Sequence, residues 1–233
     1  IEEHEMTIKI YELCGADENH LFSPHCWKTR YSLAHKGLDF ESTPTPFTKV
    51  AGTEGGPNRT VPVIRDGETV IHDSFEIAHY LEEKYPDAPS LFNGEGGKAL
   101  TRLVIDWSQT QVHPAVVRVS LMDIYNGLAP EDQAFFREGR EKIFGMTLEE
   151  FDAKFPKDGA ELNRVLAPLK SMLGKQPFIG GDTPLFADYV VFGALQWLRT
   201  CCTHDVKPEG RVAEWFDRLL DMYDGMGRAA KAA

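Results

Sequence analysis

The sequence predicts an α/β half followed by an all-helical half. In the first ninety residues or so, short alternating β-type runs are interleaved with short helical patterns. A segment rich in proline and glycine follows at residues 86–97. From about Ala99 onward the apolar pattern is helical throughout, and no run is typical of a strand. We therefore expect two domains, over residues 1–88 and 98–233.

In the first half the expected order is β-α-β, then β-β-α. Ser23 and Pro24 are typical of a helix start, and Gly37 is typical of a helix end. Asp66-Gly67 predicts a hairpin turn between two short apolar runs. Prolines mark the second strand as an edge strand, and a loop is expected at residues 49–59. The strands are predicted at 7–13, 39–45, 61–64 and 69–71, and the helices at 23–36 and 74–85.

The second half is predicted to be a helical bundle. Apolar residues recur at helical spacing in each segment, and proline or glycine separates the segments. A kink is expected at Pro114, since a proline inside a helix cannot donate its backbone hydrogen bond. The helices are predicted at residues 99–125, 130–144, 160–173, 185–200 and 209–223.

Composition excludes several classes of function. A formal charge of −11 would repel a phosphate backbone, so a nucleic-acid partner is not expected. No apolar run reaches the roughly 20 residues that span a bilayer, and the acidic residues 1–6 are unlike a signal peptide. The four cysteines have no metal-ligand spacing, and two of them are adjacent. We expect a metal-free protein in the reducing cytoplasm.

Three short motifs can carry chemistry, and each has a plain structural alternative. Ser23 at a helix N-terminus can stabilise a thiolate with its hydroxyl, or it can simply cap the helix. Val61-Pro62 indicates either an edge-strand proline or a cis bond that turns the Val61 backbone toward an extended peptide ligand. Asp73-Ser74 at the next helix start can bind a carboxylate and an ammonium group, or can be an ordinary cap.

Two neighbours of Ser23 are interpreted as structural. His25 is expected at the surface rather than as a base, and Cys26 is expected to be packed rather than reactive.

The order of these motifs resembles the cytosolic glutathione transferase superfamily over nearly the whole chain. The first predicted helix carries the string Ser23-Pro24-His25-Cys26-Trp27-Lys28-Thr29-Arg30-Tyr31, followed by His35-Lys36-Gly37-Leu38. This helix-one string is most similar to the bacterial lignin β-etherases and the related fungal ether-cleaving-type transferases. Two later strings, Gly180-Gly181-Asp182 and Phe186-Ala187-Asp188-Tyr189, resemble the folding motif of their second domain.

The resemblance implies a thioredoxin-like domain that binds glutathione as co-substrate, without a metal. Ser23 occupies the position that donates a hydrogen bond to the glutathione sulfur. Val61, ahead of a cis-type Pro62, would pair its backbone with the cysteinyl part of glutathione. Asp73 and Ser74 would hold the γ-glutamyl end.

The resemblance also implies a second, small and aromatic electrophilic substrate, bound against the helical half. Trp107 and Gln111 are hypothesised to face it. Related proteins are usually dimers, so a homodimer is expected.

Three positions depart from the family pattern. Thr60, with Arg59 one place earlier, replaces the basic residue that usually precedes Val-Pro, so the contact of the glycyl carboxylate is unassigned. Leu185 replaces the usual polar cap ahead of Asp188, at a cost of about 1 kcal/mol unless Thr183 takes over. A dithiol mechanism is excluded, because Ser23 stands where the first cysteine would be.

The sequence thus favours an enzyme in which the glutathione thiol attacks aromatic electrophiles. Thiolytic cleavage of a β-aryl ether next to a ketone is the sharper hypothesis. The alternative is a glutathione-gated carrier of aromatic compounds with little turnover. A third reading, a structural module, is disfavoured because the motif residues are all retained.

Overall fold

A computed structural model describes residues 7–56, 58 and 60–233; residues 1–6, Pro57 and Arg59 lie outside the described part. The first half contains a four-stranded mixed sheet in the order β2-β1-β3-β4, with β1 and β2 parallel and the other pairs antiparallel. Its elements are β1 (Ile8–Leu13), α1 (Pro24–His35), β2 (Phe40–Thr45), β3 (Val63–Asp66), β4 (Thr69–His72) and α2 (Ser74–Lys84).

Local sequence explains these elements. Alternation along β1 buries Ile8 and Ile10 on one side of the sheet. Gly67 adopts a φ of 59° in the turn between β3 and β4, a conformation that glycine tolerates best. β2 is an edge strand, as its prolines predict. Where a loop was expected at residues 49–59, the structure has a 3-10 segment at Phe47–Gly55 whose backbone leaves the helical region at Thr53 and Glu54.

The second half is helical, and the predicted fold class is confirmed. Its first two helices are joined by a π turn at Ser108–Val112, which ends two residues before Pro114. Its helices are α3 (Glu95–Trp107), α4 (His113–Asn126), α5 (Pro130–Phe144), α6 (Leu148–Asp152), α7 (Ala160–Val165), α8 (Ala167–Met172), α9 (Phe186–Cys201) and α10 (Arg211–Ala229), whose backbone leaves the helical region at Met222–Gly225.

Two helix predictions differ from the structure in detail. The predicted kink at Pro114 is replaced by the wider π turn at Ser108–Val112. Because Pro114 has no backbone N–H, one helical hydrogen bond fewer has to form next to this turn. The helix predicted at residues 160–173 breaks at Leu166, since Pro168 lies in the first turn of α8. The short helix α6 was not expected, although Thr147 and Glu150 form its capping box.

α9 runs through the centre of the molecule and is anchored at its N-terminus by Asp188. The buried carboxylate accepts hydrogen bonds from the backbone N–H groups of Ile179 (2.7 Å), Gly180 (2.9 Å) and Leu185 (3.0 Å), and from the Trp215 indole (2.9 Å). Leu185 supplies no side-chain cap, as predicted. The Asp188 carboxylate instead satisfies the Leu185 backbone N–H.

The two halves share one hydrophobic core in which α1 packs against α9. Trp27 and Tyr31 of α1 contact Phe192 of α9, with ring centroids 6.4 and 4.2 Å apart. At Gly193 the two helix backbones come so close that an added Cβ would lie 2.3 Å from the Pro24 carbonyl oxygen. The position of the α1 N-terminus is therefore fixed by the helical half.

Gly193→Ala is expected to destabilise the protein by about 1–3 kcal/mol, because the added methyl group must push α1 away from α9. The free energy of unfolding in urea measures this effect. Gly139→Ala is the matched control, since Gly139 is exposed within α5 and an added Cβ meets nothing within 4 Å. The control is expected to be neutral or slightly stabilising. Equal stability of the two variants would contradict the close packing of α1 on α9.

Candidate active site

A cavity of about 950 Å³ opens between the first turn of α1 and the helices α4 and α5. Ser23 and Val61, both predicted site residues, lie in its wall. Most of the remaining wall is apolar, and eight aromatic side chains contribute to it. These are Phe22, Phe47, Phe135, Phe136, Phe144, Phe151, Phe155 and Trp197.

Ser23 caps α1 and is 5% exposed. Its Oγ accepts a hydrogen bond from the Cys26 N–H at 3.4 Å. Because the oxygen accepts in this bond, the hydroxyl hydrogen remains available to donate to an atom in the cavity. The first turn of α1 carries no acidic side chain, so the positive end of the helix dipole is not neutralised there. This arrangement suits an anionic sulfur.

The Val61-Pro62 peptide bond is cis, which decides between the two alternatives that the sequence leaves open. Val61 is buried and precedes the first residue of β3 by two positions. No backbone hydrogen bond joins it to another described residue. Its main chain therefore offers a donor and an acceptor to an extended ligand. Thr60 and Asn58 also lie in the cavity wall, whereas Arg59 lies outside the described residues.

Asp73 and Ser74 form the N-terminus of α2 but do not line the cavity. The Asp73 carboxylate accepts hydrogen bonds from the N–H groups of Phe75 (2.8 Å) and Glu76 (3.3 Å). Asp73 has a φ of 72°, which is uncommon for a residue other than glycine and is found preferentially at functional sites. Ser74 is buried beside it.

A buried lysine contacts a residue of the cavity wall and is close enough to Asp73 for that carboxylate to act on its pKa. Lys28 of α1 is 2% exposed, and its Nζ donates to His25 Nδ1 at 3.0 Å. Burial lowers the pKa of Lys28 to about 8, and the Asp73 carboxylate opposes this shift. The sequence analysis assigns Lys28 no role in the site, although this lysine stands in the helix-one string that resembles the family.

The assignment of His25 to the surface is wrong. Its ring lines the cavity and lies 5.3 Å from that of His113, because the first turn of α1 faces α4. Burial lowers the pKa of His25 well below its usual value, so the ring is neutral at pH 7. The expectation that Cys26 is packed is confirmed: the thiol is buried, and burial raises its pKa to about 12.

The helical wall differs from the hypothesis for the second substrate. Trp107 and Gln111 do not line the cavity; Trp107 packs against the core and Gln111 is exposed. The inward face of this helix pair carries Gln109 and His113 instead. The π turn at Ser108–Val112 changes the helical phase at this point, which regular spacing does not predict.

His113 is buried, and its Nε2 has no hydrogen-bond partner among the described residues. Burial and the Lys28 charge lower the pKa of His113 to about 3. Between pH 7.5 and 5 the unfolded chain then binds a proton that the native state does not. We expect this residue alone to reduce the free energy of unfolding by about 2 kcal/mol over that interval.

The measurement is urea unfolding of the wild type and His113→Gln at both pH values. As the pH falls from 7.5 to 5, the free energy of unfolding should decrease more in the wild type than in His113→Gln. His72→Gln, on exposed β4, controls for the loss of one imidazole. A pH-independent difference would show that His113 titrates normally in the native state.

Within the described part of the chain, no helix is both long and apolar enough to cross a membrane. Among the same residues no group of three or more His, Cys, Asp or Glu side chains is placed to hold a metal ion.

Comparison with known proteins agrees with this geometry. The model of the glutathione S-transferase C-terminal domain matches residues 99–223, and that of the N-terminal domain matches residues 22–84. Glutathione S-transferase Z1 of Arabidopsis thaliana is 44% identical over 69 residues, which are 28% of this chain and 31% of the relative. The match to that relative thus spans under a third of its length.

Two solved structures are similar over nearly the whole chain. Glutathione transferase GSTFuA3 of Phanerochaete chrysosporium has a TM-score of 0.73 and 27% identity, covering 97% of this chain and 98% of its own. The glutathione S-transferase CsGST63524 of Ceriporiopsis subvermispora, solved in complex with glutathione, has a TM-score of 0.75 and 25% identity, covering 95% and 94%. With family models matching both halves, the chain belongs to the glutathione S-transferase family.

Proposed function

We propose that the protein is a glutathione transferase that activates the glutathione thiol at Ser23 for attack on small aromatic electrophiles. The observation that carries this proposal is the position of Ser23: its hydroxyl caps α1 in the wall of a large, aromatic-lined cavity. A relative with the same fold was solved with glutathione bound. A volume of about 950 Å³ also leaves room for a second substrate, since small-molecule sites run to roughly 1,000 Å³.

In this proposal each predicted residue has a separate role in glutathione binding. Ser23 donates a hydrogen bond to the sulfur and, with the N-terminus of α1, favours the thiolate. The Val61 main chain, set by cis Pro62, pairs with the cysteinyl unit as a neighbouring strand would. Asp73 and Ser74 bind the γ-glutamyl ammonium and carboxylate at the N-terminus of α2, and buried Lys28 adds a positive charge nearby.

The proposed reaction is the thiolytic cleavage of a β-aryl ether next to a ketone. The thiolate attacks the carbon that bears the ether oxygen, the C–S bond forms as the C–O bond breaks, and the phenolate leaves and takes a proton from water. The motif Ser-Pro-x-x-Trp-Lys-Thr-Arg at residues 23–30 supports this substrate class. A two-ring ether also suits a wall that contains eight aromatic side chains.

Product analysis by mass spectrometry tests the proposal. The protein is incubated with glutathione and an α-aryloxy acetophenone, and separately with chlorodinitrobenzene. A glutathione thioether with one equivalent of phenol supports ether cleavage. Conjugation of chlorodinitrobenzene without cleavage of the ether would support a glutathione transferase and exclude the proposed ether cleavage. Tight glutathione binding without product from either compound would favour the alternative, a glutathione-gated carrier of aromatic ligands.

We also propose that the protein is a homodimer. Leu103 on α3 is 68% exposed and Val70 on the edge strand β4 is 37% exposed, and packing against a second chain would remove these apolar side chains from water. Light scattering coupled to size-exclusion chromatography should give twice the chain mass of 26.2 kDa. Leu103→Glu should shift the mass toward the monomer, and a monomeric wild type would refute the proposal.

A further inference from the structure

The cavity has a charge opposite to that of the protein. The chain carries 36 acidic against 25 basic residues, yet the described residues of the cavity wall include no aspartate or glutamate. They include two arginines, Arg118 and Arg140. Since His25 and His113 are neutral at pH 7, the charge of this wall comes from the guanidinium groups alone. A cavity of this kind attracts anions although the protein as a whole repels them.

The two arginines differ in their partners. Arg118 forms an ion pair with Glu161 at 3.0 Å, a carboxylate that it shares with Arg164, so its guanidinium already has an anionic partner within the protein. Arg140 is half-buried and has neither an ion pair nor a side-chain hydrogen bond among the described residues. Its guanidinium lies over the ring of Phe136, 5.0 Å from the centroid. Burial without a nearby carboxylate lowers the pKa of Arg140, although such a side chain stays charged.

An unpaired guanidinium in an apolar wall has donors to offer to a ligand. Its planar N–H groups match the two oxygens of a carboxylate and bind them in a bidentate geometry. The rings of Phe135, Phe136 and Phe144 lie in the same wall and suit an aromatic body. Together these groups are complementary to one kind of molecule, an aromatic ring system that carries a carboxylate.

We propose that the cavity selects aromatic carboxylates and that Arg140 binds their anionic group. This inference rests on the proposed function, in which the same cavity receives the second substrate. Arg140 is here a specificity-determining residue, and it takes no part in activating the thiol.

Calorimetric binding of meta-phenoxybenzoate and its neutral analogue meta-phenoxybenzamide tests the proposal. A charge-assisted hydrogen-bond pair predicts that the wild type binds the carboxylate at least about tenfold more tightly than the amide. Arg140→Gln should bring this ratio close to one, mainly by weakening the carboxylate. Arg140→Lys should keep part of the preference, since the charge remains but the bidentate geometry is lost.

Lys142→Gln is the matched control, because Lys142 is an exposed cation on the same helix and lies outside the cavity wall. Lys142→Gln should retain the full preference for the carboxylate over the amide. If this variant loses as much of the preference as Arg140→Gln, general electrostatics explains the effect and the proposal fails. Equal affinity of the wild type for acid and amide, or binding of neither, would also overturn it.

Turnover separates this inference from the proposed function. If neither chlorodinitrobenzene nor the aryl ether is converted but the carboxylate preference depends on Arg140, the transferase proposal fails and the anion site stands. If conjugation occurs but acid and amide bind equally, the transferase stands and the anion site falls.

Discussion

Ser23→Ala should lower kcat/KM for glutathione conjugation by about a hundredfold. Loss of a single preorganised donor to a developing or full negative charge typically costs that much or more. The hydroxyl is buried at the N-terminus of α1, so water cannot readily replace it. The KM for glutathione should change little, because the other contacts remain. The rising limb of the pH–rate profile should move to higher pH, since the pKa of the bound thiol increases.

Two variants separate this effect from structural damage. Ser23→Thr keeps the hydroxyl and the helix cap and should retain most of the activity, whereas Ser23→Ala also loses about 1 kcal/mol of cap stabilisation. Cys26→Ala should leave activity within about twofold, because the Cys26 thiol is buried and its pKa lies near 12. Activity of Ser23→Ala within threefold of the wild type would show that another group activates the thiol.

Asp188→Ala should destabilise the protein by about 4 kcal/mol and lower the melting temperature by about 10 °C or more. The substitution leaves three backbone N–H groups and the Trp215 indole buried without an acceptor. It also releases the N-terminus of α9, which lies at the centre of the shared core. Calorimetry at pH 7 measures the effect.

Asp188→Asn keeps one carbonyl acceptor and should be less damaging, and it provides a measurable variant where the alanine protein does not fold. Asp182→Ala removes a nearby but exposed carboxylate and should stay within about 0.5 kcal/mol of the wild type. A melting temperature of Asp188→Ala close to that of Asp182→Ala would contradict the anchoring role.

Helix ends with strong local signals were predictable from sequence. The bounds of α5 agree with the prediction because Pro130 sets the first turn and Gly145, with a φ of 67°, terminates it. α6 is five residues long and too short to show a period. The split between α7 and α8 was missed because the apolar pattern continues across Pro168.

The residues of the candidate site also fall into those that local sequence signals identified and those that they did not. Ser23 and cis Pro62 were identified from short motifs, and both stand in the expected local geometry. Lys28, His113 and Arg140 were not identified, because the cavity that they line or border lies between α1, α4 and α5, which are far apart in sequence. Periodicity could not place the inward face of α3 and α4 either, since the π turn at Ser108–Val112 interrupts it.

The close contact between Pro24 and Gly193 has a consequence for synthesis on the ribosome. Ser23 is made before α9, the helix that fixes its position, which follows some 170 residues later. A nascent chain released after α2 would contain every predicted glutathione-binding residue and still lack the support that orients the first turn of α1. Vectorial folding would therefore complete the candidate active site only after α9 has been made.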